Sequence, residues 1–428
     1  MENSSIQKVA VIGLGYVGLP LALGFYDSGL QVWGIETDKE KVKKLQSGVS
    51  YLDDVPSQRI KEALETNHFS ITDKYEILEQ SDAVCICVPT PLNKVQEPDL
   101  SFIVQAVDAI EPHLHNGMLV VLESTTYPGT TEEVVLPRLA KQGLLVGEDF
   151  YLSFSPERID PGNKQFNIKN TPKVIGGITP ACTQKTIELY KHVVSEIVPV
   201  SNARTAEMVK LLENTFRAVN IALVNEMAIM CDQLGVDIWE VVDAAKTKPF
   251  GFMPFYPGPG LGGHCIPIDP AYLSWKMKTL DYTARFIELA RAINSSMPRY
   301  VVEKIADALN EKKKSIQGSK ILLLGVTYKK DVSDLRESPA LDIISLLMKK
   351  GAQVYFSDPY IEQIEVEGEK FYHYQLTNGL SQFDLVAIIT EHSNYDYEAI
   401  VKGSLLVLDT RNATRNISSH LKEKVIKL

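Results

Sequence analysis

The residues best suited to chemistry lie in one loop, Pro257-Gly-Pro-Gly-Leu-Gly-Gly-His-Cys265-Ile-Pro-Ile-Asp269-Pro270. A thiol in so glycine-rich a stretch is open to close approach by a substrate, because bare backbone leaves room beside it. Asp269, four residues on, stands where a carboxylate can orient a water or an ammonium group. Sulfur attacks carbonyl carbon readily and leaves well, so the loop suggests covalent catalysis through a thiolate. The competing reading is a structural cysteine, but such residues sit in apolar elements, as Cys85 and Cys87 do in the run Ala83–Val88. On a strand those two share one face and are expected to act as small core side chains. Cys182 and Cys231 bring the total to five, an odd number with no disulfide pattern and no CxxC or HxxxH spacing. Neither an oxidised framework nor a metal site is expected. His113 and His115, flanking a helix end, are expected to be two solvated histidines.

A second constellation is Gly13-Leu-Gly15-Tyr16-Val17-Gly18, which follows a strand and opens a helix, with Glu36 at the end of the next strand. There the glycines permit a tight turn, close approach to a pyrophosphate, and helix–strand packing. The Glu36 carboxylate would accept a ribose 2′-hydroxyl and repel a 2′-phosphate, which favours NAD over NADP. The bland alternative, a packing turn in an unrelated sheet, is weakened by the strand, helix and acid in order. Glu207, Lys210 and Asn214 fall on one face of a long helix at i, i+3 and i+7. A buried lysine with an amide one turn on can stabilise an oxyanion and hold a water. Taken alone, such a pair is more often a solvated helix face.

These residues need elements to place them. Lys8–Ile12 has the pattern of a buried strand, Tyr16–Ser28 of a helix, and Leu30–Glu36 of the next strand. Asp82–Val88, Met118–Leu122, Phe150–Phe154 and Lys173–Gly176 continue the alternation, which implies a mostly parallel, doubly wound sheet ending near Ser201. Asn202–Leu234 is apolar at helical spacing with neither glycine nor proline, long enough for a helix of roughly 45 Å. Helical patterns resume at Tyr272–Ile293 and Pro298–Lys313, after Lys248–Asp269, which is too dense in glycine and proline for regular structure. A second series, Lys320–Gly325, Ser338–Lys350 and Gln353–Ser357, mirrors the opening one and ends likewise in an acid, Asp358. Leu385–Thr390 and Ser404–Leu408 extend it. Its first loop, Gly325–Arg336, lacks the glycine spacing. The expected fold is α/β, with two Rossmann-like doubly wound domains (1–201 and 314–428) joined by a central helical domain (202–313) that carries the cysteine loop.

A chain of 428 residues exceeds one ordinary core, and 45% hydrophobic with 23% charged residues is the balance of a globular protein. Apolar runs such as Lys8–Val17 fall short of a membrane span, and Met1–Gln7 lacks the order of a signal peptide, so a cytoplasmic protein without a membrane partner is expected. A net charge of −10 disfavours nucleic acid. It does not exclude an anionic small ligand, whose contacts are decided locally.

The chain resembles the UDP-glucose/GDP-mannose dehydrogenase superfamily over almost its whole length. The likeness rests on Gly13–Gly18, Val88-Pro-Thr-Pro91, Ser124-Thr-Thr-Tyr-Pro128, Ser155-Pro-Glu157, Lys210-Leu-Leu-Glu-Asn214, Gly262-Gly-His-Cys265 with Asp269, and Lys329-Lys-Asp331 with Arg336-Glu-Ser338. It implies that Cys265 is the nucleophile, that Lys210 and Asn214 hold the oxyanion, and that Glu157 is an acid–base residue. By the same likeness Asp269 and Thr126 position the catalytic water or proton path. The cofactor would be NAD, held by Gly13, Gly15, Tyr16, Val17, Gly18, Glu36, Lys41, Pro89, Thr90, Thr126 and Arg336. The sugar nucleotide would meet Glu157, Arg158, Lys210, Asn214, Phe255, Tyr256, Gly262, Lys329 and Arg411.

Two departures from the UDP-glucose pattern matter: Ile268 stands where those members carry lysine, and Pro161 where they carry a second glutamate. With Pro249–Tyr256 and Cys265–Pro270 they are similar to the branch acting on UDP-N-acetylhexosamines. The resemblance therefore implies oxidation of such a sugar, UDP-N-acetylglucosamine foremost, at C6 to the uronic acid through a cysteine thiohemiacetal and thioester, for polysaccharide precursor synthesis. UDP-N-acetylgalactosamine, UDP-N-acetylmannosamine and UDP-glucose stay open as substrates. A one-step hydroxy-acid dehydrogenase has no use for Cys265 or the second α/β domain. A non-enzymatic NAD- or nucleotide-sugar-binding regulator has no use for Cys265, Lys210 and Asn214 together. A homodimer packed through the long central helix is the partner the family implies.

Overall fold

The computed structural model describes residues 6–52, 54–93, 97–159, 163 and 165–428. Pro161, one of the two departures, lies outside them. The chain divides into two compact units: residues 1–213 with 271–283, and residues 214–270 with 284–428.

The first unit is built on an eight-stranded sheet. Its strands are β1 (Lys8–Ile12), β2 (Gln31–Ile35), β3 (Phe69–Thr72), β4 (Ala83–Ile86), β5 (Leu119–Leu122), β6 (Tyr151–Phe154), β7 (Lys173–Gly177) and β8 (Ile197–Pro199). They lie in the order β3-β2-β1-β4-β5-β6-β7-β8. The reversal beside β1 is the switch point of a doubly wound sheet, where the carboxyl ends of the strands open a crevice. Alternation along β1 serves both faces: Val9 and Val11 join one core, Ala10 and Ile12 the other. Cys85 and Cys87 are buried together in the first of these, as their spacing requires. One pairing departs from the expected parallel series. β6 and β7 are antiparallel, because the chain returns without a crossover helix among the described residues, and parallel neighbours need one.

The second unit holds a five-stranded parallel sheet, β10-β9-β13-β14-β15. Its members are β9 (Lys320–Leu324), β10 (Gln353–Ser357), β13 (Leu385–Ile388), β14 (Val407–Asp409) and β15 (Val425–Lys427), and a hairpin, β11 (Gln363–Val366) with β12 (Glu369–Tyr372), lies outside it. The internal repeat extends to hydrogen bonds. Gly13 at φ 87° and Gly325 at φ 78° make the same left-handed turn. Gly13 N donates to Ile35 O at 2.8 Å, and Gly325 N to Ser357 O at 2.9 Å. Leu14 N donates to Glu36 and Val326 N to Asp358 in equivalent fashion. The copies differ where a nucleotide would bind. The first helix, Gly18–Asp27, has no capping side chain and no acid in its first turn, whereas the corresponding helix, Pro339–Lys349, is capped by Ser338. The carboxylate of Asp358 is moreover taken by the buried His392 at 3.0 Å. Only the first copy leaves a helix N-terminus open to an anion.

The central helix runs Ala203–Leu234, 32 residues or about 48 Å. The helices expected at Tyr272–Ile293 and Pro298–Lys313 are instead Asp269–Lys278 and Arg285–Glu311, the latter with Pro298 inside it. Asp281 makes the break at φ 55°, with Tyr282 N returning to Met277 O at 3.0 Å. An aspartate in this left-handed terminus is a far weaker signal than glycine. Pro298 costs one helical hydrogen bond, offset by burial among apolar neighbours. Among the described residues no helix is long and apolar enough to cross a membrane.

Candidate active site

In the first unit, residues expected to form the site lie just past the carboxyl ends of β1, β2, β4, β5 and β6. A Cβ on Gly13 would stand 2.7 Å from Cys87 O, and one on Gly18 only 1.9 Å from Gly13 O, so both glycines are required by backbone packing. Gly15 is different: a Cβ there meets nothing within 4 Å. Its bare backbone faces open space beside the uncapped helix N-terminus, a cradle that fits the pyrophosphate of NAD. Tyr16 and Val17 pack against the core beneath. Glu36 is buried and accepts from Leu14 N (3.1 Å), Thr37 N (2.9 Å) and Asp38 N (3.1 Å). A carboxylate offers about four acceptor positions, so one is left for a ribose hydroxyl. The Tyr51 hydroxyl donates to Leu14 O at 2.6 Å, and Lys41 lies over the Tyr51 ring at 5.6 Å, bracing the turn from outside. Thr90 is buried and Pro89 exposed just past β4.

Because Glu36 also holds the turn together, replacing it by alanine mixes cofactor binding with folding. Glu36→Gln is the cleaner change. It should raise the KM for NAD about 10-fold or more, the loss of a charged acceptor being worth about 1.5–3 kcal/mol, and narrow the preference over NADP. Initial rates at varied cofactor check this, and an unchanged KM would remove Glu36 from the ribose.

Glu157 follows β6. Its Oε1 accepts from Arg158 N (2.6 Å) and Ile159 N (2.5 Å), and its Oε2 lies 3.4 Å from the ammonium of Lys173 on β7. Burial pushes this carboxyl up, but Lys173, the two backbone donors and Lys210 outweigh burial and hold it below its ordinary range. Lys210 donates from Nζ to Glu157 O at 2.5 Å. The Arg158 guanidinium spans Pro172 O (2.9 Å) and Glu213. Thr126 is fully buried, its hydroxyl 2.5 Å from that of Thr130. Glu207, on the Lys210 face of the helix, accepts from Gly129 N (2.5 Å), Thr131 N (2.9 Å) and the Thr131 hydroxyl (2.6 Å). Burial pushes its carboxyl up to about 7 against those donors. It anchors the turn that follows Thr126.

In the second unit, Cys265 is exposed and precedes the helix Asp269–Lys278. Its carbonyl accepts from Ile268 N (3.2 Å) and Asp269 N (2.8 Å), so the first turn of that helix holds the cysteine's backbone. Asn214 donates from Nδ2 to Asp269 Oδ2 at 2.5 Å, both side chains buried. Burial, then the nearby Arg336 guanidinium, lowers the pKa of His264, the residue before Cys265.

The loop's glycines have a packing reason. A Cβ on Gly258 would meet the Arg411 guanidinium at 2.5 Å, and one on Gly262 or Gly263 would meet the Tyr328 side chain at 2.6 or 2.7 Å. The bare backbone therefore packs on the residues before Lys329 and on Arg411. Two residues not anticipated fasten it. Gly258 N donates to Asn225 Oδ1 (2.9 Å), whose Nδ2 donates to Asn294 Oδ1 (2.9 Å), and Asn294 Nδ2 reaches Ala218 O (3.1 Å). Phe255 and Tyr256 are drawn into an aromatic cluster, Phe255 edge-on to Phe216 at 5.7 Å and Tyr256 stacked on Trp239 at 6.0 Å. Arg336 is exposed, gripped by Asp334 through Nε (3.0 Å) and Nη2 (2.6 Å), while its carbonyl accepts from Gly263 N at 2.9 Å. Lys329 is partly exposed, and its carbonyl accepts from the Thr327 hydroxyl at 3.0 Å. Arg411 Nε donates to Ile389 O at 3.1 Å and faces Glu391 at 3.4 Å. Ile268 is buried apolar surface.

Three domain models of the UDP-glucose/GDP-mannose dehydrogenase family match in order: the NAD binding domain over residues 7–194, the central domain over 204–296 and the UDP binding domain over 322–416. The chain is 37% identical over 364 residues to a UDP-N-acetyl-D-glucosamine 6-dehydrogenase of Salmonella typhi, covering 85% of this chain and 84% of that one. It is 36% identical over 412 residues to a UDP-N-acetyl-D-mannosamine dehydrogenase of Pyrococcus horikoshii, covering 95% and 96%. A solved UDP-D-ManNAc dehydrogenase from Pyrococcus horikoshii superposes with a TM-score of 0.88 at 35% identity, over 96% of this chain and 97% of that one. A UDP-glucose dehydrogenase from Pyrobaculum islandicum does so with 0.84 at 26% identity, over 100% and 98%.

Proposed function

The chain belongs to the UDP-glucose/GDP-mannose dehydrogenase family, and from that premise we propose that it oxidises a UDP-N-acetylhexosamine at C6 to the uronic acid, using two NAD⁺ and one water. UDP-N-acetyl-D-glucosamine is the substrate placed first, and a polysaccharide precursor in the cytoplasm is the expected product. The observation that carries the reading is the exposed Cys265, its backbone seated on the helix whose first residue, Asp269, is bonded to Asn214.

NAD⁺, when bound on Gly13–Gly18 and Glu36, supplies the hydride acceptor for both oxidations. In the first, the C6 hydroxyl gives up its proton to Glu157, held as a carboxylate and therefore suited to act as base. Cys265 then adds to the aldehyde carbon to give a thiohemiacetal, whose oxidation leaves a thioester. Lys210 and Asn214, one turn apart on one helix, hold the oxyanion at each tetrahedral stage. Asp269 and Thr126 direct the hydrolytic water. Lys329, Arg411, Arg158, Phe255, Tyr256 and Gly262 hold the sugar nucleotide, and Arg336 the cofactor. In this division residues 1–201 bind NAD and supply Glu157 and Thr126, 202–313 carry the catalytic cysteine loop, and 314–428 bind the UDP-sugar.

A panel of UDP-N-acetylglucosamine, its galactosamine and mannosamine epimers, and UDP-glucose, read by NADH absorbance, tests this. The acetamido sugars should turn over with two NADH each and UDP-glucose far more slowly. A site built to bond the acetamido group leaves a buried partner unpaired with the analogue that lacks it. UDP-glucose turning over equally well would sink the substrate assignment, and one NADH per sugar would sink the two-step chemistry.

A homodimer through the central helix belongs to the same reading. Leu212, Phe216, Leu223, Met227, Met230 and Leu234 stand exposed at intervals of four, seven, four, three and four, a seam of heptad character. Sedimentation should find a dimer, and Leu223→Arg should shift it to monomer. A monomeric parent chain would remove the helix as an interface.

A further inference from the structure

Sixteen residues beyond Glu157 in sequence, Lys173 is an almost fully buried lysine on β7, and it sits between two buried carboxylates. Its ammonium is 2.6 Å from Glu123 Oε2 and 3.4 Å from Glu157 Oε2, and lies 4.9 Å from the centre of the Tyr190 ring. Glu123, at the end of β5, is in turn bonded by the Tyr190 hydroxyl. We propose that Lys173, fixed by Glu123, is a positioning residue for the reaction: it aims the Glu157 carboxylate and keeps it charged, hence able to take the substrate's proton. The inference rests on the reading of Glu157 as a base.

Stability does not account for this arrangement. Desolvating three charged side chains costs several kcal/mol each, and apolar groups of like volume commonly replace buried ion pairs at no loss. Nor does Glu157 need Lys173 to be anchored, since two backbone N–H groups already hold its Oε1. What Lys173 adds is a positive charge beside the remaining oxygen, Oε2. The groups facing Glu157 from each packed element are few. Lys173 comes from β7, Lys210 from the central helix, Glu123 from the end of β5, and Cys87 from just past β4. Lys210 is engaged with the main-chain oxygen of Glu157, so Lys173 is the cation on its carboxylate. Burial alone would strip the proton from Lys173, yet the two carboxylates hold it there more firmly than on a free lysine.

The test uses the full-length enzyme with two readouts. Infrared difference spectra, in which the carboxylic-acid band of Glu157 is identified by its loss in Glu157→Gln, follow protonation without any substrate. The pH profile of kcat follows function. Lys173→Met should move the protonation of Glu157 and the acid limb of kcat upward together by about one pH unit or more, a tenfold loss of rate below the limb. Lys173→Arg should restore both. If Lys173→Met does not fold, Glu123→Leu/Lys173→Met removes the charges as a pair, and its limb should also lie above that of the parent. An infrared titration unmoved in a folded variant overturns the proposal. An infrared shift with an unmoved kcat limb overturns its catalytic half. A parent enzyme that oxidises no UDP-sugar, with the infrared shift still present, indicts the functional reading instead.

Discussion

Cys265→Ala is expected to cut uronate formation by on the order of 10³-fold or more while leaving NAD affinity nearly unchanged. With no sulfur to trap it, the first-formed aldehyde has no covalent route to the second oxidation. Any residual hydride yield should therefore approach one per sugar. Serine at this place keeps a nucleophilic atom but not a reactive one, since a hydroxyl without an adjacent base is a far weaker nucleophile than a thiolate. Its adduct, once formed, should also turn over slowly. Cys265→Ser should therefore be nearly as inactive as the alanine variant yet accumulate a covalent sugar adduct visible in the mass of the denatured protein. The fold should tolerate both changes, because Cys265 is an exposed residue and the hydrogen bonds from Ile268 and Asp269 go to its backbone carbonyl. The decisive quantity is NADH formed per UDP-sugar. An alanine variant still making uronate at close to the parent rate would overturn the mechanism and the reading of the glycine-rich loop with it.

The legible parts of this protein are those where local chemistry and long-range packing agree. The turn at Gly13 announces itself because only glycine tolerates both its positive φ and the carbonyl of Cys87 at its flank. The repeat at Gly325 is legible for the same reason, although the helix after it has acquired a serine cap. The glycines of the cysteine loop signal close approach to its backbone, and the approach seen in the structure is by Arg411 and Tyr328. Nothing in a spacing distinguishes a neighbouring side chain from a substrate. Lys173 and Glu123 were out of reach altogether. They are 50 positions apart, on strands separated in the sheet by β6, and a lysine beginning an apolar strand looks like an exposed strand end. The antiparallel β7 and the proline inside Arg285–Glu311 escaped because each breaks a local rule that tertiary packing compensates.

Lys210→Met should lower kcat by about 10²–10³-fold with a smaller change in the KM for the UDP-sugar. That is the range seen when one oxyanion donor is lost, about 2.7–4 kcal/mol of transition-state stabilisation. Methionine matches the length and apolar body of the lysine, so the buried site keeps its packing and loses only the ammonium. The main-chain oxygen of Glu157 loses its partner as well, and a small drop in melting temperature should accompany the change. Structural damage is separated from chemistry by coupling the substitution to the nucleophile. If Lys210 acts on the oxyanion that forms when Cys265 adds to the carbonyl, a chain without Cys265 never forms that oxyanion. Adding Lys210→Met to Cys265→Ala should then cost little further in the residual single oxidation. If Lys210 instead holds only the fold or the Glu157 loop, the two losses should multiply, as for independent sites. A kcat within threefold of the parent, or a fully multiplicative double variant, would remove Lys210 from the oxyanion and leave Asn214, tied to Asp269 at 2.5 Å, as the donor to test next.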